Sequence, residues 1–271
     1  MTIIDDAIDL LDKGLEGVAL AVEDVRIGVF YTGVRLASGH AGVAFTPRDM
    51  PDAVCCPRTA AEMPAAGKMQ GASAWELAAY ARTDSPLKRA VGVATINALS
   101  ALLMERQGLP GYRLLAGADA LEAISITPED RVALVGAFIP FIKALKGRVQ
   151  RLSIIDKHPQ ILKADELPLW RPPTEAPEVL SQADVAVITG SALVEGGLDE
   201  LLELCRGSRE VALAGPTASM HPEPLFRRGV TAVAGIAVRD PDRLLQIVGE
   251  GGSGYFFDVA AEKMAIVREG P

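Results

Sequence analysis

Apolar positions along this chain recur first with mixed spacing and then with a regular strand-and-helix alternation. Residues 3–13 carry apolar positions at helical spacing. Residues 25–36 alternate, so that Val25, Ile27, Val29 and Tyr31 share one face of a strand. Ser38-Gly39 marks a turn, and Ala41–Phe45 reads as the return strand. Residues 46–68 hold four prolines and little periodicity, which predicts a long loop. Trp75–Arg82 reads as a short helix. Ser85-Pro86 caps a longer one that runs to about Gln107, where Gly108-Leu-Pro110 stops it.

From about residue 120 the pattern becomes strand, helix, strand. Strands are expected at 131–135, 151–155, 184–188, 210–214 and 230–234. Helices are expected near 138–147, 198–206, 222–228 and 241–249, the last capped by Asp240-Pro241. The proline-rich stretch from Lys163 to Pro177 reads as a crossing loop. The alternation predicts an α/β fold: a parallel sheet of at least five strands with helices on both faces. The change of pattern places a domain boundary between residues 108 and 125. The expected units are an α+β domain at 1–115 and a Rossmann-like domain at 116–271.

A parallel sheet gathers its ligand loops at the strands' carboxyl ends. Here those loops are Gly136–Pro140, Asp156–His158, Thr189–Ser191 and Gly215–Ser219. The stretch Asp184–Val194 is the most telling. A short buried strand ends in Thr189-Gly190-Ser191, and Glu195-Gly196-Gly197 leads into a helix with acidic residues in its first turn. Asp156 follows Gly136 by 20 residues, the spacing at which dinucleotide folds place a ribose-binding acid. The first loop lacks G-x-G-x-x-G, and Phe138 and Pro140 would crowd a pyrophosphate. The other reading of Asp156 is a carboxylate that caps a neighbouring amide. Asn97 lies beside the apolar seam of the 86–107 helix. It either bonds a neighbouring backbone or touches a ligand across the domain junction.

Composition narrows the function. A net charge of −8 and the lack of a clustered basic patch argue against a nucleic-acid binder. Lys88-Arg89 and Arg227-Arg228 read as solvated helix faces. No signal-peptide pattern and no membrane-spanning apolar run is evident, so a cytoplasmic protein without membrane insertion is expected. Cys55, Cys56 and Cys205 form no disulfide framework. No C-x-x-C or H-x-x-x-H spacing announces a zinc site. His158 and His221 follow two of the strands and are expected on the same sheet edge. Ser191 lacks a G-x-S-x-G elbow, so no nucleophile is assigned. The residues name no cofactor, and a homodimer stays open.

The chain resembles the heavy-metal chelation proteins, a family long catalogued by its domain of unknown function. The resemblance runs over nearly the whole length. It is carried by Ala183–Val194, Leu213–Thr217, Phe226–Gly235 and Gly92–Ala98, with support from Gly42–Pro47 and Val135–Pro140. It implies an amino-terminal domain like that of enolase, a carboxy-terminal Rossmann-like domain and a site at their junction. Asn97, Gly136, Phe138, Pro140, Thr189, Gly190, Ser191, Gly215 and Pro216 match family positions. Where the family usually has Asn-Gly-Thr, this chain has Glu195-Gly196-Gly197.

The expected ligand-binding set is these residues with Asp156, Glu195 and Thr217. Thr189–Ser191 is expected to face Asn97 across the junction, with Phe138 as a wall. The expected role is handling a small molecule or metal chelate there. The alternatives are an enzyme using a nucleotide or S-adenosylmethionine-type cofactor, and a non-catalytic partner in metal uptake or metallocofactor assembly.

Overall fold

The computed structural model describes residues 2–48 and 64–269. The expected loop at 46–68, with Cys55 and Cys56, lies mostly outside the described residues. Helix α1 (Ile3–Gly14) opens with a capping box between Thr2 and Asp5, and it buries Ile3, Ile4, Ala7, Ile8 and Leu11. Strands β1 (Val22–Ile27), β2 (Tyr31–Leu36) and β3 (Ala41–Phe45) form an antiparallel sheet in that order. The single strand expected over residues 25–36 is therefore two. The chain turns at Gly28, whose amide donates to the Tyr31 carbonyl. A Cβ at Gly28 would lie 2.0 Å from the Val248 carbonyl oxygen, so only glycine fits this turn. Apolar Val29 at its tip is 58% exposed, which disguised the turn as a continuing strand.

Helix α2 (Ala74–Ala78) leads to α3 (Pro86–Gln107), whose first turn is capped by Ser85 at the Lys88 amide. Helix α3 lies directly on β3. A Cβ at Gly42 would sit 2.4 Å from the Ala94 carbonyl oxygen and 2.5 Å from the Ala98 nitrogen. Among the described residues α3 is long and apolar enough to cross a membrane, but 78% of its apolar window is buried inside the protein, as in a core helix.

The remaining strands form one eight-stranded sheet, in the order β4-β11-β10-β9-β8-β5-β6-β7. They are β4 (Tyr112–Ala116), β5 (Arg131–Val135), β6 (Arg151–Ile155), β7 (Trp170–Arg171), β8 (Val185–Thr189), β9 (Glu210–Ala214), β10 (Ala232–Val238) and β11 (Ala261–Arg268). The six strands from β10 to β7 run parallel. β11 is antiparallel to both β10 and β4, so the sheet is mixed rather than parallel throughout. Neither β4 nor β11 was expected. Tyr112–Leu115, read as the end of the first unit, are hydrogen-bonded into this second sheet.

Connecting helices are α4 (Ala120–Ala123), α5 (Ile139–Leu145), α6 (Ala176–Ser181), α7 (Ala192–Glu195), α8 (Leu198–Leu204), α9 (Glu223–Phe226) and α10 (Pro241–Gly249). One sheet face packs on Phe141, Ile142 and Leu145 of α5. The other shares a continuous core with the first unit, from Ile3 and Leu99 to Ile188, Leu193 and Phe226. A charged tie from Arg228 to Asp6 crosses the same boundary. Arg228 reaches Asp6 at 2.5 Å and Asp199 at 2.9 Å, so Arg227-Arg228 is not simply a solvated face.

Candidate functional site

The carboxyl ends of β5, β6, β8 and β9 lie side by side, as the register requires. At the end of β8, Thr189 Oγ1 and Ser191 Oγ are 3.1 Å apart, and Thr189 Oγ1 accepts the Ser191 amide at 3.3 Å. Both residues are half-buried, so the pair is not sealed in the core. Gly190 between them is buried. Its amide donates to the Ala214 carbonyl at 2.7 Å. A Cβ there would lie 2.8 Å from the Ala218 nitrogen, so this loop abuts the one after β9.

Gly136 approaches from β5. Its Cβ position is 3.1 Å from Thr189 Cβ and 3.5 Å from Phe138 Cε2. Phe138 stacks on Phe141 at 5.1 Å and stays half-buried beside Gly136. Pro140 is exposed at the start of α5.

Asp156, at the end of β6, holds the neighbouring loops. One carboxylate oxygen accepts the Ala137 amide at 2.8 Å and the other the His158 amide at 2.7 Å. Its carbonyl accepts Trp170 Nε1 at 2.8 Å. This is the amide-capping reading, with both carboxylate oxygens engaged. Lys157 extends to Glu195 at 3.1 Å, which joins the loop after β6 to the end of α7.

After β9, Gly215 and Pro216 lead into a turn that places Thr217 at the junction. Thr217 Oγ1 accepts the Phe45 amide at 2.9 Å, and its carbonyl accepts Asn97 Nδ2 at 2.9 Å. The same Nδ2 donates to the Val43 carbonyl at 2.8 Å. Two carbonyl partners fix the amide's orientation, because the opposite rotamer would set oxygen against oxygen. Asn97 is 2% exposed, and its Oδ1 has no hydrogen-bond partner. Asn97 thus bolts β3 and α3 to the second unit. One chain of contacts links it to Gly190, through Thr217 and Ala218.

Two basic residues next to the site escaped sequence reading. Lys157 lay within a loop expected at this edge but was given no role, and Arg89 was taken as part of a solvated face. Arg89 is half-buried, and its guanidinium packs on Gly196. The Cβ position of Gly196 is 2.8 Å from one terminal nitrogen of Arg89 and 3.1 Å from the other. The available signal was the first turn of α3, which carries Lys88-Arg89 and no acidic residue.

Two family models, both described as "putative heavy-metal chelation", match this chain over residues 8–100 and 119–266. The chain belongs to that family. An uncharacterised protein of Methanocaldococcus jannaschii is 27% identical over 188 residues, 68% of this chain and 67% of its own. A crystal structure of a family member of unknown function from Pyrococcus horikoshii superposes with a TM-score of 0.78. It is 21% identical and covers 99% of this chain and 100% of its own. A second, from Desulfitobacterium hafniense, gives a TM-score of 0.73 at 20% identity, covering 98% and 99%. These likenesses establish the fold: an α+β unit followed by a Rossmann-like one.

The name of the chelation family raises the question of metal donors. Cys205 is 2% exposed, and burial pushes its thiol up to about 12, so it stays protonated. His221 does not share the carboxyl edge with His158. The chain after Thr217 runs back along the sheet, and the His221 ring packs 6.4 Å from that of Tyr112, at the opposite end. Burial lowers its pKa to about 4. His40 is engaged by Glu105. Among the described residues no three His, Cys, Asp or Glu side chains are grouped to hold an ion. These residues do not fit a directly bound heavy metal.

Proposed function

We propose that this chelation-family protein binds a small molecule or a metal chelate at the carboxyl edge of its second sheet, next to the junction of the two units. The observation that carries this reading is the half-exposed hydroxyl pair of Thr189 and Ser191, bordered by Gly136 and Phe138. Hydroxyls and a flat aromatic wall suit a polar organic ligand or a metal already wrapped by one. The described donor set favours such a molecule over a bare ion. The amide caps on Asp156 weigh against the ribose contact that a nucleotide cofactor would need.

The test is native mass spectrometry of protein purified from cells, wild type against Ser191→Leu. The expected result is a bound small molecule in the wild type that the variant lacks. Retention of the same mass by Ser191→Leu would overturn the placement. Release of a nucleotide or S-adenosylmethionine would favour the cofactor-enzyme reading.

A non-catalytic partner role has its own observation. Val29, Tyr255, Phe256 and Val259 are 58%, 79%, 61% and 64% exposed, respectively. Loss of a co-purifying protein on Tyr255→Ser with Phe256→Ser is its test.

A further inference from the structure

We propose that Arg89 is an anion-binding residue of this site, and that the ligand carries an oxyanion, either carboxylate or phosphate, toward the guanidinium that α3 presents against Gly196. This rests on the reading of the edge as a ligand site and names the charge of what binds there. Arg89 Nε is buried without a hydrogen-bond partner, and among the described residues Arg89 makes no ion pair. Arg131, Arg209 and Arg228 all pair with carboxylates, and the chain as a whole is acidic at −8.

Local helix stability does not account for a cation there. Arg89 lies in the first turns of α3, where the helix dipole favours an acid and the sequence supplies none. Glu195, which precedes Gly196 in the chain, is held by Lys157 rather than by Arg89. Gly196 leaves the guanidinium its room, because a side chain there would displace it. The result is a planar, permanently charged donor group against Gly196, in the loop whose neighbouring Glu195 pairs with Lys157. The Thr189–Ser191 hydroxyls sit at the start of the short helix that ends in this loop. Guanidinium forks take carboxylate and phosphate through paired hydrogen bonds, which a lysine cannot imitate.

The experiment is isothermal titration calorimetry of the full chain with citrate and, separately, inorganic phosphate, at ionic strength held constant with chloride. Wild type, Arg89→Met, Arg89→Lys and Ser191→Leu are compared. The expected result is saturable binding of at least one anion, with affinity about tenfold or more weaker in Arg89→Met and intermediate in Arg89→Lys. Whichever of the two anions binds identifies the group. Thermal melts of both Arg89 variants are expected to match or exceed wild type, since a buried unpaired donor is removed or shortened. No saturable heat with either anion, or equal affinity in Arg89→Met, would overturn the proposal. Loss of binding in Arg89→Met but not in Ser191→Leu would keep the anion site and sink the hydroxyl-loop reading. The reverse pattern would do the opposite.

Discussion

Replacing Asn97 with alanine is expected to loosen the two units from each other rather than merely weaken a ligand. The substitution removes two hydrogen bonds, of 2.8 Å to the Val43 carbonyl and 2.9 Å to the Thr217 carbonyl, at a residue 2% exposed. Each carbonyl left without a partner costs about 1–3 kcal/mol. Removing the unpartnered Oδ1 returns about 1 kcal/mol of that. The net loss is then about 1–5 kcal/mol, a large share of a typical domain's stability. Urea denaturation followed by fluorescence reads it, because Trp75 reports on the first unit and Trp170 on the edge of the second sheet. The control is Asn97→Asp. It keeps the shape but turns a donor into a carboxylate facing two carbonyl oxygens, and it should cost more than alanine at neutral pH. A loss under about 0.5 kcal/mol for Asn97→Ala, or Asn97→Asp matching wild type, would refute the bolt.

Three further outcomes follow from the packing. Gly42→Ala should destabilise by about 1–3 kcal/mol or more, since the new methyl meets backbone atoms of α3 that cannot rotate away; a thermal melt checks this. Native Cys205 should resist iodoacetamide at pH 8 and react only on unfolding, read by mass spectrometry of its peptide, because burial holds the thiol near 12. His221 makes stability fall as pH drops from 6.5 toward about 4, because the unfolded chain takes up a proton that the folded site refuses; His221→Phe should flatten that part of the stability–pH curve.

The elements legible in the sequence are those whose burial imposes one pattern. β5, β6 and β9 run between other strands and read as short apolar runs with bounds that match the structure. β4 and β11 sit toward one side of the sheet. Leu114 is 49% exposed and Glu262-Lys263 interrupts the apolar pattern, so neither segment shows a clear period. The site loops were legible because strand ends are. What they touch was not, because the partner of Asn97 lies 120 residues away and only tertiary structure brings it there. Arg89 was misread for the same reason: its neighbour is a glycine from the other unit, and a glycine leaves no trace of what it makes room for.

Satisfaction of polar groups separates what holds this edge together from what is left available. Thr217, Asp156 and the Asn97 amide nitrogen are spent on backbone partners, and removing any of them should loosen the fold. Thr189 and Ser191 bond mainly to each other at a half-exposed position, and Arg89 bonds to no described side chain. Groups of the second kind are positive or neutral hydrogen-bonding groups, and none is a soft donor. Such groups can grip the carboxylates of a chelating molecule, whose own atoms already coordinate the metal, without touching the ion. On that reading the family's chelation chemistry belongs to the ligand, and the protein supplies its charge complement. A chelator such as citrate should then bind with or without its metal, and the metal should come and go with it.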